Sequence, residues 1–174
     1  MEKVHYTEVL RRTGILTKLS AYDPHIAGTP PLGIDLPASD LDILCHTPDP
    51  SSFASATWEA FSECGAFSMR QWIGANRPVV VEFVAVGWRI EIFGQALPVR
   101  EQHGWRHFQV ERRLLSLGGS TFRDAVMDHR RNGTKTEPAF SAALGLVGDP
   151  YRALLEIEPL SDADIARLLR KRGF

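Results

Sequence analysis

The sequence predicts an α/β domain of the α+β kind, with a strand-rich first half and a helical second half. Three observations predict it. The runs AFSMRQWI, PVVVEFVAV and WRIEIFGQ, broken at Gly74-Ala75-Asn76 and at Gly87, follow one another as an antiparallel meander would. Upstream, DLDILC alternates acidic and apolar residues with the period of two that marks a half-buried strand. From Pro98 onward, apolar residues recur at helical spacing: Trp105, Phe108, Leu114 and Leu115, then Phe122 and Val126, then Phe140, Ala143, Leu144 and Val147, and last Ile165, Leu168 and Leu169. Residues 1–97 are therefore expected to form the sheet layer and 98–174 a helical part packed on it as one domain.

Taken in order, the elements have local reasons. Val9, Leu10, Ile15, Leu16 and Leu19 predict a first helix over residues 4–19, weakened in the middle by Gly14. HIAGT is a short apolar strand, and Pro30-Pro31, which can continue neither a helix nor a ladder, empties it into a loop. After DLDILC, the cluster from Thr47 to Ser52 offers N-caps for a second helix through Phe53, Trp58 and Phe61, with Gly65 as its expected stop. Gly118-Gly119-Ser120, Gly133 and Gly148-Asp149-Pro150 separate the later helices, and Ser161 with Asp164 resembles a capping box.

Composition narrows the functional classes. A chain of 174 residues, 44% hydrophobic and 24% charged, can bury a core of its own and is neither disordered nor fibrous. Cys45 and Cys64 have no metal-ligand spacing and do not suggest a disulfide framework. No run reaches the length of a membrane span, and MEKVHYTEVLRR lacks the apolar core of a signal peptide, so a cytoplasmic protein is expected. A net charge of −1 argues against nucleic-acid binding by bulk electrostatics. The charge is uneven, however. No Lys or Arg occurs between Lys18 and Arg70, whereas Arg100 to Arg131 is Arg-rich, so an anionic ligand would draw much of its cationic contact from that later segment.

Chemistry centres on Asp40 and Asp42. Two residues apart on a strand, they share one face, and their repulsion calls for a compensating cation. Mg²⁺ or Mn²⁺ suits carboxylate oxygens and keeps positions open for water and phosphate. Upstream, Gly28 permits close backbone approach and Thr29 offers a hydroxyl. Downstream, Glu91 lies between two Ile residues in WRIEIF and leaves the sheet on the face opposite them, as a third ligand would. Glu82 in VVVEFV competes for that place.

These residues resemble the nucleotidyltransferase superfamily, with its DNA polymerase beta-like fold. The superfamily has Gly-Ser or Gly-Gly after a first strand, an acidic pair on the next strand and a third acid on a later one. AGT at 27–29, SDLDI at 39–43 and IEIF at 90–93 correspond in order. The stretches GTPPLGIDLPASDLDI, IEIFGQALPVREQHGWRHFQVERRLL and KTEPAF are similar to a bacterial family described as domain of unknown function 4269. The resemblance implies a twisted mixed sheet flanked by helices, a nucleoside triphosphate, and two Mg²⁺ ions held by Asp40 and Asp42. Glu91 would complete the site of the ion that activates an acceptor hydroxyl, and Gly28-Thr29 would receive the triphosphate. Thr29 keeps the hydroxyl of the usual Ser. Pro30 and Pro31 remove two backbone donors from the phosphate cradle, and the loop has no cation nearby in sequence. The implied activity is nucleotidyl transfer to a hydroxyl acceptor. Its rival is a non-catalytic nucleotide- or partner-binding module, regulatory or antitoxin-like, on the same fold.

Other residues carry smaller expectations. His103, His107 and Glu111 recur every four residues on one helix face, more in keeping with hydrogen-bonded side chains than with zinc. Arg106, His107 and Glu111 are expected to border the cleft, with Arg106 and His107 meeting the nucleotide. Asp35 reads as a turn residue, Lys135 and Thr136 as the start of a helix, and Trp72, Trp88 and Trp105 as core or rim aromatics.

Overall fold

Turn residues and apolar runs of the first hundred positions resolve into three helices and five strands in a computed structural model that describes residues 3–73 and 77–174. The expected break at Gly74-Ala75-Asn76 lies outside the described residues. The chain divides into two units, Met1–Trp105 and Arg106–Phe174.

In the first unit, Gly14 does more than weaken the first helix: it divides it. Helix α1 covers Tyr6–Thr13, Gly14 adopts φ 60° and donates its N–H to Leu10 O, and α2 resumes over Ile15–Lys18. A left-handed cap of this kind closes one helix and redirects the next. Strand β1 is His25–Ala27, and Pro30–Leu32 winds into a single 3₁₀ turn, a tighter structure than the expected open loop. Strand β2 is Leu41–His46. Helix α3, Pro50–Phe61, is capped by Asp49, whose carboxylate accepts from the Ser51 N–H. It stops at Phe61 rather than at Gly65. Cys64 N–H turns back to Phe61 O, and Gly65 already pairs with Val84 as the first residue of β3.

Strands β3 (Gly65–Gln71), β4 (Val79–Ala85) and β5 (Trp88–Gln95) form the antiparallel meander, and β5 runs parallel to β2. The mixed sheet has the order β1-β2-β5-β4-β3. Period-two geometry then sorts its side chains. Leu41, Ile43, Cys45, Val79, Val81, Phe83, Ile90 and Ile92 share a core with Val9, Ile15, Leu19, Phe53 and Phe61 from the helices. Burying each large apolar side chain there contributes roughly 1.5–3 kcal/mol. Phe61 stacks on Phe83 at 4.8 Å, and Phe53 meets Tyr22 edge-on at 4.9 Å. The opposite face carries Asp42, Glu91 and Glu82 as successive register partners across β2, β5 and β4.

Helix α4 spans His103–Arg131 but is two helices joined at Gly119, whose φ 64° and ψ −156° break the helical path where the Gly118-Gly119 pair predicts a separation. In the second unit, α5 (Thr136–Leu144), α6 (Pro150–Leu155) and α7 (Asp162–Lys171) complete the helical part. Phe122 meets Phe140 and Phe174 edge-on, and Leu144, Leu154, Ile165 and Leu169 are buried. Ser161 caps α7 by accepting from the Asp164 N–H. No helix among the described residues is long and apolar enough to cross a membrane.

Candidate metal centre

The sheet register assembles the acidic site. Asp42 lies on β2 between Ala27 of β1 and Glu91 of β5, so three strands fix its position. Asp40 stands just before β2, at the end of the loop that begins at Gly28. Among the described residues, Asp40, Asp42 and Glu91 form a group whose oxygens lie within 4.8 Å of one another, each half-buried. At that separation and an effective dielectric of ~20, each pair of charged carboxylates repels by roughly 3 kcal/mol. Three hard oxygen donors converging at this spacing suit Mg²⁺ or Mn²⁺.

Gly28 makes the convergence possible. It has φ 75°, and a Cβ there would collide with the Asp42 carboxylate. Thr29 is buried, and its hydroxyl donates to Ser39 Oγ at 3.2 Å. The amides of Leu32 and Ile34 both return to Thr29 O, and that of Gly33 returns to Pro30 O. The Gly28-Thr29 loop is thus closed on itself through its own backbone.

The third carboxylate is read by its neighbours. Glu82 accepts from Arg70 and from Arg89, the latter at 2.9 Å, and these bonds hold it below the usual carboxylate range. Glu91 accepts from the other arm of Arg70, at 3.2 Å, lies beside Glu82, and faces Asp40 and Asp42. Burial first, then the charges of Glu82 and Asp40, push Glu91 above the usual range, while Arg70 pulls the other way. Sequence reasoning missed Arg70, and a lone Arg on a strand carries no signal of the ion pairs it will make.

A second residue it missed is Lys3. The loop has no nearby cation in sequence, yet the N-terminus delivers one. Lys3 Nζ donates to Ser39 O at 2.5 Å and to Pro37 O at 3.3 Å, and lies 3.5 Å from the centre of the Trp88 ring. No local pattern reveals a pairing across 36 residues.

The later cationic segment is largely engaged within the second unit. Arg106 grips Glu158 through Nε and Nη2, and Arg113 binds Asp162 at 2.7 Å. His107 is buried and donates from Nε2 to Tyr151 O at 2.9 Å. Arg130 donates to the Thr136 hydroxyl at the start of α5. Of the tryptophans, Trp88 is buried, Trp105 lies edge-on to His25 at 4.9 Å, and Trp72 is 55% exposed.

Comparisons with known proteins agree on the fold. The Cid1 poly(U) polymerase with MgGTP bound matches with a TM-score of 0.58 at 13% identity, over 88% of this chain and 48% of that one. A cytoplasmic RNA terminal U-transferase matches at 0.53 and 14% identity, over 73% and 40%. The GLD-2/RNP-8 complex matches at 0.51 and 13%, over 79% and 57%. The chain therefore spans about half the length of these structures. No curated protein matches it in sequence. The mixed sheet with its helices is a nucleotidyltransferase-like fold. A family model matches residues 8–157, and the chain belongs to that family, described as a domain of unknown function, DUF4269.

Proposed function

We propose that this protein is a nucleotidyltransferase that moves a nucleotidyl group from a nucleoside triphosphate to a hydroxyl acceptor with the help of Mg²⁺ or Mn²⁺. The observation that carries the proposal is the meeting of Asp40, Asp42 and Glu91 within 4.8 Å on a sheet of nucleotidyltransferase-like fold. Bound divalent cations would stabilise charge on the attacking and leaving oxygens. Asp40, Asp42 and Glu91 would hold them, and the half-buried setting of all three keeps their charge effective against screening. Gly28 and Thr29 are the proposed nucleotide-binding residues of the first unit, and Arg106 and His107 those of the second. Arg106 would have to leave Glu158 to serve a phosphate. Free Cys45 and Cys64 suit the cytoplasmic setting proposed with this activity.

One observation favours a second reading, a nucleotide- or partner-binding module without turnover. The amides after Pro30-Pro31 bond to Thr29 O and Pro30 O, which leaves fewer donors for a triphosphate. A single experiment separates the two. Purified protein is incubated with each radiolabelled nucleoside triphosphate, Mg²⁺ or Mn²⁺, and hydroxyl acceptors including RNA 3′ ends. Label transfer that Asp42→Asn abolishes supports the enzyme, whereas nucleotide binding without transfer supports the module. Absence of both binding and transfer removes the enzyme and the nucleotide-binding module, and leaves partner binding as the reading of the fold.

A further inference from the structure

The three carboxylates are not held alike. Asp42 and Glu91 are register partners inside the ladder, so the sheet places them. Asp40 precedes the first residue of β2, and its position depends on the residue before it. Ser39 is a junction. Its hydroxyl accepts from the Thr29 hydroxyl and from the Leu36 amide, its amide donates to Leu36 O, and its carbonyl accepts from Lys3. Lys3 adds Pro37 O to the same grip and rests its ammonium on the Trp88 ring, while Trp88 donates from Nε1 to Val4 O at 2.8 Å. Trp88 is buried in the core as the first residue of β5, the strand that carries Glu91. The N-terminal segment therefore clamps the Asp40 loop to that strand.

We infer that Lys3 is a positioning residue for the acidic centre: it fixes Ser39, and through Ser39 the Asp40 carboxylate, against the strand that holds Glu91. This rests on the metal reading above. Its three ammonium protons have two carbonyls and an aromatic face to meet, so the side chain acts as a clamp and not as a phosphate ligand. The two possible roles of a cation here have opposite signs. A lysine that acted only by its charge would repel a divalent ion, and its removal would tighten metal binding. A lysine that positions Asp40 weakens binding when removed.

The test measures Mn²⁺ affinity by electron paramagnetic resonance for wild type, Lys3→Met, Lys3→Arg, Asp40→Asn and the Lys3→Met/Asp40→Asn double variant, with melting curves to verify folding. Lys3→Met should bind Mn²⁺ about tenfold more weakly, the cost typical of losing a ligand's outer support. Lys3→Arg, which keeps the charge and the aromatic contact, should recover most of it. The double variant should be no weaker than Asp40→Asn, because the two residues act through one position. Hydrogen exchange on the metal-free protein supplies an arm that does not depend on metal: Lys3→Met should speed exchange at Ile34 and Ser39 but not within β2. Wild-type Mn²⁺ binding with Lys3→Met unchanged or tighter overturns this inference alone. Absence of Mn²⁺ binding by wild type overturns the metal reading and this inference together.

Discussion

Gly28→Ala is a perturbation whose consequences separate into two measurable parts. Gly28 has φ 75°, and an added methyl group meets the Asp42 carboxylate; Gly14 has φ 60°, and its methyl group would meet nothing within 4 Å. Both variants bear the cost of an L-residue in the left-handed region, about 1–2 kcal/mol. For a chain of this size that corresponds to a fall in Tm of roughly 2–8 °C. Only Gly28→Ala also displaces Asp42. It should melt below Gly14→Ala and lose Mn²⁺ affinity by about tenfold or more, as metal sites do when a ligand's support is disturbed. Gly14→Ala should bind Mn²⁺ like wild type. Thermal melts and Mn²⁺ titrations of the two variants decide it. Equal melting and equal affinity in both would refute the claim that the backbone at Gly28 makes room for the metal ligand.

Three further outcomes follow from the same geometry. The bonds from Arg70 and Arg89 lower the pKa of Glu82, so their contribution to stability is present above the unfolded value near 4.5 and is lost as pH falls through the folded value. The Tm gap between wild type and Glu82→Gln should narrow on acidification through that window, and a gap independent of pH would contradict the pairing. Phe53 is fully buried against Tyr22, and Phe53→Ala should cost about 3–5 kcal/mol in urea unfolding. A loss under about 1 kcal/mol would show that α3 does not pack on the sheet as described. For the nucleotide, Arg106→Ala should weaken triphosphate binding and Glu158→Ala, which frees Arg106, should tighten it. No change in either variant removes Arg106 from the nucleotide site.

How much the sequence reveals depends on how local the physics is. DLDILC reads as a strand because alternation is a property of six neighbouring residues, and β2 takes up all of it but Asp40, which stands just before the strand. The same parity argument puts Glu91 on the face opposite Ile90 and Ile92, and the register then sets it beside Asp42. Parity alone does not separate Glu91 from Glu82, since both share that face; the two arginines around Glu82 become visible only with strand order. Gly65 misleads as a helix stop because its pairing with Val84 outweighs local punctuation. Lys3 is the extreme case. Its partners lie 34 and 36 residues away, and only the folded chain brings a cation to a loop that lacks one. The charge asymmetry of the second half is legible, but the ion pairs that engage Arg106 and Arg113 are not.

The central claim, that Asp40, Asp42 and Glu91 form a metal site, is tested most directly by melting wild type and Asp42→Asn in chelator and across a Mg²⁺ titration. In chelator the carboxylates repel one another, so Asp42→Asn should be as stable as wild type or more stable. At free Mg²⁺ ~100-fold above its dissociation constant, wild type should gain about 2.7 kcal/mol, and the variant should lose most of that gain. The order of the two melting curves should therefore reverse as Mg²⁺ is added. Parallel curves, with Asp42→Asn less stable throughout and no metal-dependent difference, would show that Asp42 is a structural acceptor and that the acidic centre holds no metal.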